Sequence, residues 1–132
     1  MENKWEKIYY DLIDTLKKQG RPVGVFKSLN IKSYYANEEI ENCGWKYNRH
    51  HIDEIKISGA ILKETPEYKT GEAIIVDLME HLLLHYIIVM AKTTKPNYGM
   101  LMTLRTCDDP LETWEKYAKE GCQKFNIEFD KN

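Results

Sequence analysis

The chain has 132 residues, of which 42% are hydrophobic and 30% charged, and its formal net charge is −2. This composition excludes a disordered segment and predicts one folded domain over residues 1–132. The slightly negative charge excludes a globally basic nucleic-acid binder, so any contact with nucleic acid must depend on local patches.

Neither a targeting segment nor a membrane span is expected from the sequence. The N-terminus, MENKWEKIYY, has no apolar signal region. The longest apolar run, LLLHYIIVMA, has about half the length that a membrane-spanning helix needs. The three cysteines form no CxxC pair, which is typical of reduced thiols. These features predict a cytoplasmic protein with no membrane partner.

The predicted elements mix helices and strands, which places the chain in the α+β class. An N-terminal helix is expected over about 2–19, where apolar residues recur at helical spacing. The segment 23–35 fits either an extended arm or two short elements. GWKYNRHHI is predicted to be a strand, the next residues to be a long loop, and AIIV to be a second short strand.

Two further helices follow these strands. Asp77 and Glu80 have the spacing of a capping box, so a helix is expected from Leu78 to Lys92. The DDP sequence before LETWEKYAKE is a strong start signal and predicts a C-terminal helix over about 109–125. The expected order is therefore strand, loop, strand and helix, with one helix on either side.

All four histidines of the chain lie in two of the predicted elements, the first strand and the helix that starts at Leu78. His81 and His85 are four residues apart, so a helix places them on one face, about one turn apart. His50 and His51 are adjacent in the first strand; one can supply a third nitrogen, while the other faces away and is free to act as a base. Three neutral nitrogens with open positions suit a catalytic metal ion. These residues predict a hydrolytic metal site, with a phosphodiester as the expected substrate.

The segments RHHIDE and PEYKTGEAIIVDLMEHLLLH, followed by YIIVMA, resemble the HNH endonucleases, which are also called ββα-metal or His-Me finger nucleases. The likeness covers about 45–92 and is greatest to a branch from phages and Gram-positive bacteria. It implies a ββα-metal core, one divalent ion (Mg, Mn, Zn or Ni) and DNA, expected to be duplex, as the substrate. It also implies that His50, His81 and His85 bind the metal and that His51 is the general base.

The sequence departs from the family pattern at one position of the site. Glu72 stands where the family has an asparagine that braces the loop carrying the base. An ionised carboxylate accepts hydrogen bonds but cannot donate them, so Glu72 is expected to alter catalysis. Basic residues are scattered along the chain, and Arg49, Lys92 and Lys95 are the candidates for nucleic-acid contacts.

Two functions stay open from the sequence. The first is a metal-dependent DNA endonuclease or nickase of phage origin. The second is a catalytically weak or inactive HNH-fold protein that binds another protein, such as a phage-encoded inhibitor of a host defence nuclease. Glu72 and the acidic balance favour the second, whereas the retention of all four histidines favours the first. A purely structural zinc module is a third alternative.

Overall fold

Helices and a small antiparallel sheet make up the computed structural model, which describes residues 3–29, 39–40, 44–57, 59–62, 64–93 and 110–129. The helices are α1 (Lys4–Lys18), α2 (Gly59–Leu62), α3 (Glu67–Thr70), α4 (Leu78–Ala91) and α5 (Pro110–Lys124). The strands are β1 (Val23–Val25), β2 (Glu39–Ile40), β3 (Gly44–Trp45), β4 (Tyr47–His51) and β5 (Glu72–Asp77). The fold is α+β, as predicted, and α1 and α5 lie inside the ranges expected for them.

β5 is the central strand of a three-stranded antiparallel sheet, with β1 on one side and β4 on the other. β2 and β3 form a separate pair. The predicted two-stranded ribbon was therefore incomplete, because the segment after α1 adds β1 as a third strand. Residues Ala73–Val76 of β5 are all buried. Since successive side chains of a strand point to opposite faces, β5 is covered on both sides, which explains its unbroken apolar run.

α1 and α4 both begin at capping boxes. The side chains of Asn3 and Asp77 accept hydrogen bonds from the backbone N–H groups of Glu6 and Glu80. The two glutamate side chains in turn accept hydrogen bonds from the backbone N–H groups of the caps. Backbone N–H groups that have no acceptor within the helix are thus hydrogen-bonded. The cap at Asp77 defines where α4 starts and makes His81 and His85 the fourth and eighth residues of the helix.

α4 lies at the centre of the molecule, in contact with the sheet and with both α1 and α5. It is buried on nearly all sides, as expected of an interior helix without a polar face. The approach of α5 requires Gly121, because a Cβ atom there would lie 2.9 Å from Cδ2 of Leu83. The core includes Ile75, Leu82, Leu83 and Tyr86, which are all buried. Tyr47 is half-buried, and the side chain of Trp45 lies outside the part of the chain that is described.

A buried ion pair ties the segment after α1 to the first turn of α4. Nη2 of Arg21 lies 2.6 Å from Oε2 of Glu80, whose side chain is fully buried. The other oxygen, Oε1, accepts from the backbone N–H of Asp77 at 2.9 Å. Both oxygens of this buried carboxylate are therefore satisfied, which a charge in the interior requires.

The connection between β4 and β5 was predicted to be an irregular loop, which was wrong in part. It contains a 3₁₀ turn at Ile52–Ile55 and the helices α2 and α3. Each of these elements is only four residues long, too short to produce a recognisable periodic pattern. The two aspartates of the DDP start signal, Asp108 and Asp109, lie outside the described residues. Among the described helices, none combines the length and apolar composition that crossing a membrane requires.

Candidate metal centre

Three buried histidines meet between β4 and α4: His50 from the strand, and His81 and His85 from the helix. Their ligand nitrogens all lie within 4.8 Å of one another. Two nitrogens bound to one ion at about 2.1 Å are at most about 4.2 Å apart, so small rotations of the rings reach that separation. This three-histidine cluster is close enough to bind one metal ion.

Each imidazole of the three-histidine cluster has one buried nitrogen with no hydrogen-bond partner. These atoms are Nδ1 of His50, Nδ1 of His81 and Nε2 of His85. An unsatisfied buried polar atom costs roughly 1–3 kcal/mol, and folded proteins contain few of them. Three in one cluster match the nitrogen donors that a transition-metal ion prefers. The residues present therefore fit a divalent cation.

A tyrosine of α1 determines which nitrogen of His50 is free. The Tyr9 hydroxyl oxygen lies 2.7 Å from His50 Nε2 and 2.7 Å from the carbonyl oxygen of Ile52. A carbonyl can only accept, so the single hydroxyl proton is donated to Ile52 and His50 Nε2 must itself donate. Neutral His50 then has its lone pair on Nδ1, inside the cluster. Burial, and to a smaller extent the charge of Glu54, raises the pKa of Tyr9 well above its ordinary value, so the hydroxyl keeps its proton.

Burial also keeps the cluster uncharged. It is the largest cause that lowers the pKa of His50 and of His85 well below 6.5. It likewise lowers the pKa of His81 to about 4. Neighbouring histidines contribute less, through the repulsion that adjacent imidazolium charges would feel. The three rings are therefore neutral at pH 7, which is the state in which imidazole binds a metal ion.

His51 follows His50 in β4 and, by the alternation of a strand, points to the opposite face. Its Nε2 lies 2.8 Å from the carbonyl oxygen of Tyr68, which can only accept, so Nε2 carries a proton. The ring of Phe26 stacks on the imidazole with the centroids 4.0 Å apart, and the ring of Tyr68 lies at 4.5 Å. These contacts hold the ring of neutral His51 with its lone pair on Nδ1.

The carboxylate of Glu54 lies between His51 and the three-histidine cluster. Its Oε1 is 3.4 Å from His51 Nδ1, and its Oε2 is 3.6 Å from His85 Nε2. Sequence reasoning did not identify this residue, because its position depends on the 3₁₀ turn Ile52–Ile55 inside the predicted loop. The signal in the sequence was HHIDEI, where a glutamate follows His51 by three residues, one turn of a 3₁₀ helix.

Glu72 lies at the start of β5, where it is exposed and 4.0 Å from Nζ of Lys17. Its partner across the sheet is Val25 of β1. The imidazole of His51 instead donates its Nε2–H to the backbone carbonyl oxygen of Tyr68. A catalytic influence of Glu72 stays a prediction.

Of the three cations predicted to contact nucleic acid, Arg49 and Lys92 are described by the structure, and their surroundings differ. Nη1 of Arg49 donates to the carbonyl oxygen of Phe26 at 3.0 Å, and the guanidinium lies 4.1 Å from the centre of the Phe26 ring. Arg49 thus helps to hold the ring that stacks on His51. Lys92 is exposed at the end of α4, where its φ of 56° lies in the left-handed region. Lys95 lies outside the described residues.

No protein-family model, curated protein or solved structure matches this chain. The resemblance to HNH endonucleases therefore stays a prediction from the sequence, and the function has to be inferred from the chemistry of the site.

Proposed function

We propose that the protein is a metal-dependent DNA nuclease of the HNH type, acting as an endonuclease or nickase, with β4, β5 and α4 as its ββα-metal core. One observation carries this proposal. One ligand nitrogen from each of His50, His81 and His85 lies within 4.8 Å of the other two, and each of these rings has a buried nitrogen without a hydrogen-bond partner. Beside them is a fourth histidine, His51, whose Nε2–H is held by a carbonyl so that Nδ1 can accept a proton.

Hydrolysis of a phosphodiester needs a base for the attacking water and positive charge near the phosphate. A divalent cation held by His50, His81 and His85 would supply that charge and stabilise the leaving 3′ oxygen. His51 Nδ1 accepts the proton of the water, while Nε2–H stays bonded to Tyr68 and keeps the ring oriented. His51 then carries two protons, and the Glu54 carboxylate, 3.4 Å from Nδ1, stabilises the imidazolium charge.

Binding of DNA rests on local positive charge, because the net charge of the chain is −2. Lys92 and Lys95, at and just after the end of α4, are the proposed phosphate contacts. Arg49 is engaged with Phe26 and acts through the position of that ring. With so few phosphate contacts, the affinity for DNA should be low and should decrease as the salt concentration increases.

Nicking of supercoiled plasmid tests the proposal. The wild-type protein should nick in Mg or Mn and should not nick in a chelator. Activity should decrease as salt concentration increases, since the release of condensed counterions then gains less free energy. His51→Ala, prepared in parallel, serves as the control for contaminating nuclease and should leave the plasmid intact. Intact plasmid with the wild-type protein in Mg, Mn, Zn and Ni would refute nuclease activity.

A second function is favoured by the burial of the site. All four histidines are buried, and even His51 is only 6% exposed. A closed site suits a structural metal ion in a protein-binding module, such as a phage-encoded inhibitor of a host defence nuclease. In that case metal should raise the melting temperature of the protein, while neither the wild type nor His51→Ala nicks the plasmid.

A further inference from the structure

Two carboxylates are buried in the part of the chain that the structure describes, and they are satisfied to different degrees. Glu80 accepts hydrogen bonds at both oxygens, from the backbone of Asp77 and from the guanidinium of Arg21. Glu54, which is 5% exposed, has no hydrogen-bond partner for Oε2. A buried carboxylate oxygen without a donor is expensive unless a cation compensates it.

We propose that Oε2 of Glu54 binds the same metal ion as His50, His81 and His85, so that the centre has three nitrogen ligands and one carboxylate oxygen. This inference rests on the metal centre of the proposed function. It follows from the position of Oε2, which lies 3.6 Å from Nε2 of His85, another buried atom that lacks a partner.

The separation of these two atoms fits two ligands of one ion. With bonds of about 2.1 Å, neighbouring ligands of one ion are about 3.0–3.5 Å apart. A direct hydrogen bond is excluded, because 3.6 Å between Glu54 Oε2 and His85 Nε2 exceeds the range of such bonds. A cation between the two atoms would satisfy both of them at once.

The position of Oε1 gives Glu54 a second contact that is compatible with this role. Oε1 lies 3.4 Å from Nδ1 of His51, on the other side of the carboxyl group from His85. One carboxylate thus connects the proposed base with the proposed metal ligands. Glu54 is a metal ligand through Oε2 and a positioning residue for His51 through Oε1.

A carboxylate ligand changes which ions the centre prefers. Imidazole suits Zn and Ni, whereas carboxylate oxygen suits Mg and Mn. Four protein ligands close a tetrahedral Zn site, but they leave two positions open on an octahedral ion such as Mn. Glu54 therefore favours six-coordinate ions and leaves room for water and phosphate only on those.

Calorimetric titration of the full chain with Mn and with Zn tests this role. Glu54→Gln keeps the shape of the side chain and removes its charge. The matched control, Asp53→Asn, removes the same charge from the exposed residue next to it. We expect Glu54→Gln to lose at least about tenfold in Mn affinity and less in Zn affinity, so that the Mn-to-Zn affinity ratio decreases. Asp53→Asn should change either affinity by no more than about twofold.

The possible outcomes separate this inference from the proposed function. If Glu54→Gln binds Mn and Zn as the wild type does, while His85→Ala binds neither, Glu54 is not a ligand and the metal centre stands. An equal loss for both ions would also overturn the role of Glu54, since a merely structural effect does not change the ratio. If the wild type binds neither ion, the metal centre itself is refuted together with this inference.

Circular dichroism of the metal-free variants checks that each one folds. If Glu54→Gln does not fold, Glu54→Asp replaces it, because aspartate keeps the charge but withdraws the oxygens by one methylene. The Mn-to-Zn affinity ratio of Glu54→Asp should again decrease, and a ratio equal to that of the wild type would overturn the inference.

Discussion

His50 and His51 are neighbours in the chain, but their surroundings are different. His50 faces two other histidines, and its Nε2–H is held by a tyrosine hydroxyl of α1. His51 faces the connection between β4 and β5, where a backbone carbonyl, two aromatic rings and a carboxylate surround it. The alternation of a strand thus places adjacent, chemically identical residues in two different environments.

The comparison also shows how each ring is restricted to one tautomer. Nε2 donates in both histidines, to the Tyr9 hydroxyl in His50 and to the Tyr68 carbonyl in His51. Nδ1 is therefore the reactive nitrogen of both rings. In His50 it is buried without a hydrogen-bond partner, and in His51 it lies 3.4 Å from Oε1 of Glu54. The neighbours of each Nδ1, rather than the ring itself, distinguish the proposed metal ligand from the proposed base.

The largest expected effect comes from removing each histidine in turn. His51→Ala should lose about 10² to 10⁴ in the rate of plasmid nicking, the usual loss for a general base, while it still binds metal. His50→Ala should lose both activity and metal binding. Nicking assays and calorimetry on the same preparations compare the two variants. A fully active His51→Ala would show that another group is the base.

The second effect is a dependence of stability on pH in the metal-free protein. The pKa of His81 is about 4 in the folded state and about 6.5 when the chain is unfolded, so the unfolded chain binds more protons between these values. The free energy of unfolding should therefore decrease as the pH falls from about 6.5 to about 4, by on the order of 3 kcal/mol from His81 alone. Urea unfolding in a chelator at several pH values measures it. The decrease should be smaller in His81→Gln, and equal slopes in the two proteins would contradict the explanation.

Removal of the Tyr9 hydroxyl should have the third effect. Tyr9→Phe takes away the acceptor of His50 Nε2–H and the donor to the Ile52 carbonyl. We expect metal affinity to fall about 10–100-fold, and the unfolding free energy to fall by about 1–3 kcal/mol. Tyr10→Phe is the matched control on the same helix, because the buried Tyr10 hydroxyl oxygen has no hydrogen-bond partner. Equal losses of metal affinity in the two variants would show that the bond to His50 is unimportant.

The smallest effect is expected at Glu72. Its side chain is exposed, and its ion pair with Lys17 is long, at 4.0 Å. Glu72→Asn should change the unfolding free energy by less than about 1 kcal/mol, as is usual for surface ion pairs. Nicking should stay the same or increase, because a negative charge is removed near the phosphates. Lys17→Gln, which breaks the same ion pair, is the control. A large loss of activity in Glu72→Asn alone would show that the carboxylate itself has a catalytic function.

Much of the fold was predictable from local patterns. α1 and α4 have capping signals and apolar spacing of their own, and both form close to where these patterns place them. The third strand was not predictable, because Val23–Val25 is too short for a pattern and forms by pairing with β5. The same holds for α2 and α3, whose four residues each are arranged by packing rather than by propensity.

By itself the sequence determined how neighbouring histidines are oriented relative to each other, because that orientation depends only on helix and strand geometry. An i, i+4 spacing places His81 and His85 on one helix face, and strand alternation separates His50 from His51. Only the tertiary structure brought the strand and the helix together and placed Tyr9, Tyr68 and Glu54 around them. These three residues are 41, 17 and 3 positions away from the histidines that they contact. The contacts of Tyr9 and Tyr68 arise from packing, and no local pattern encodes them. Glu54 is close to His51 in the chain, but it approaches the imidazole because the chain forms a 3₁₀ turn directly after β4.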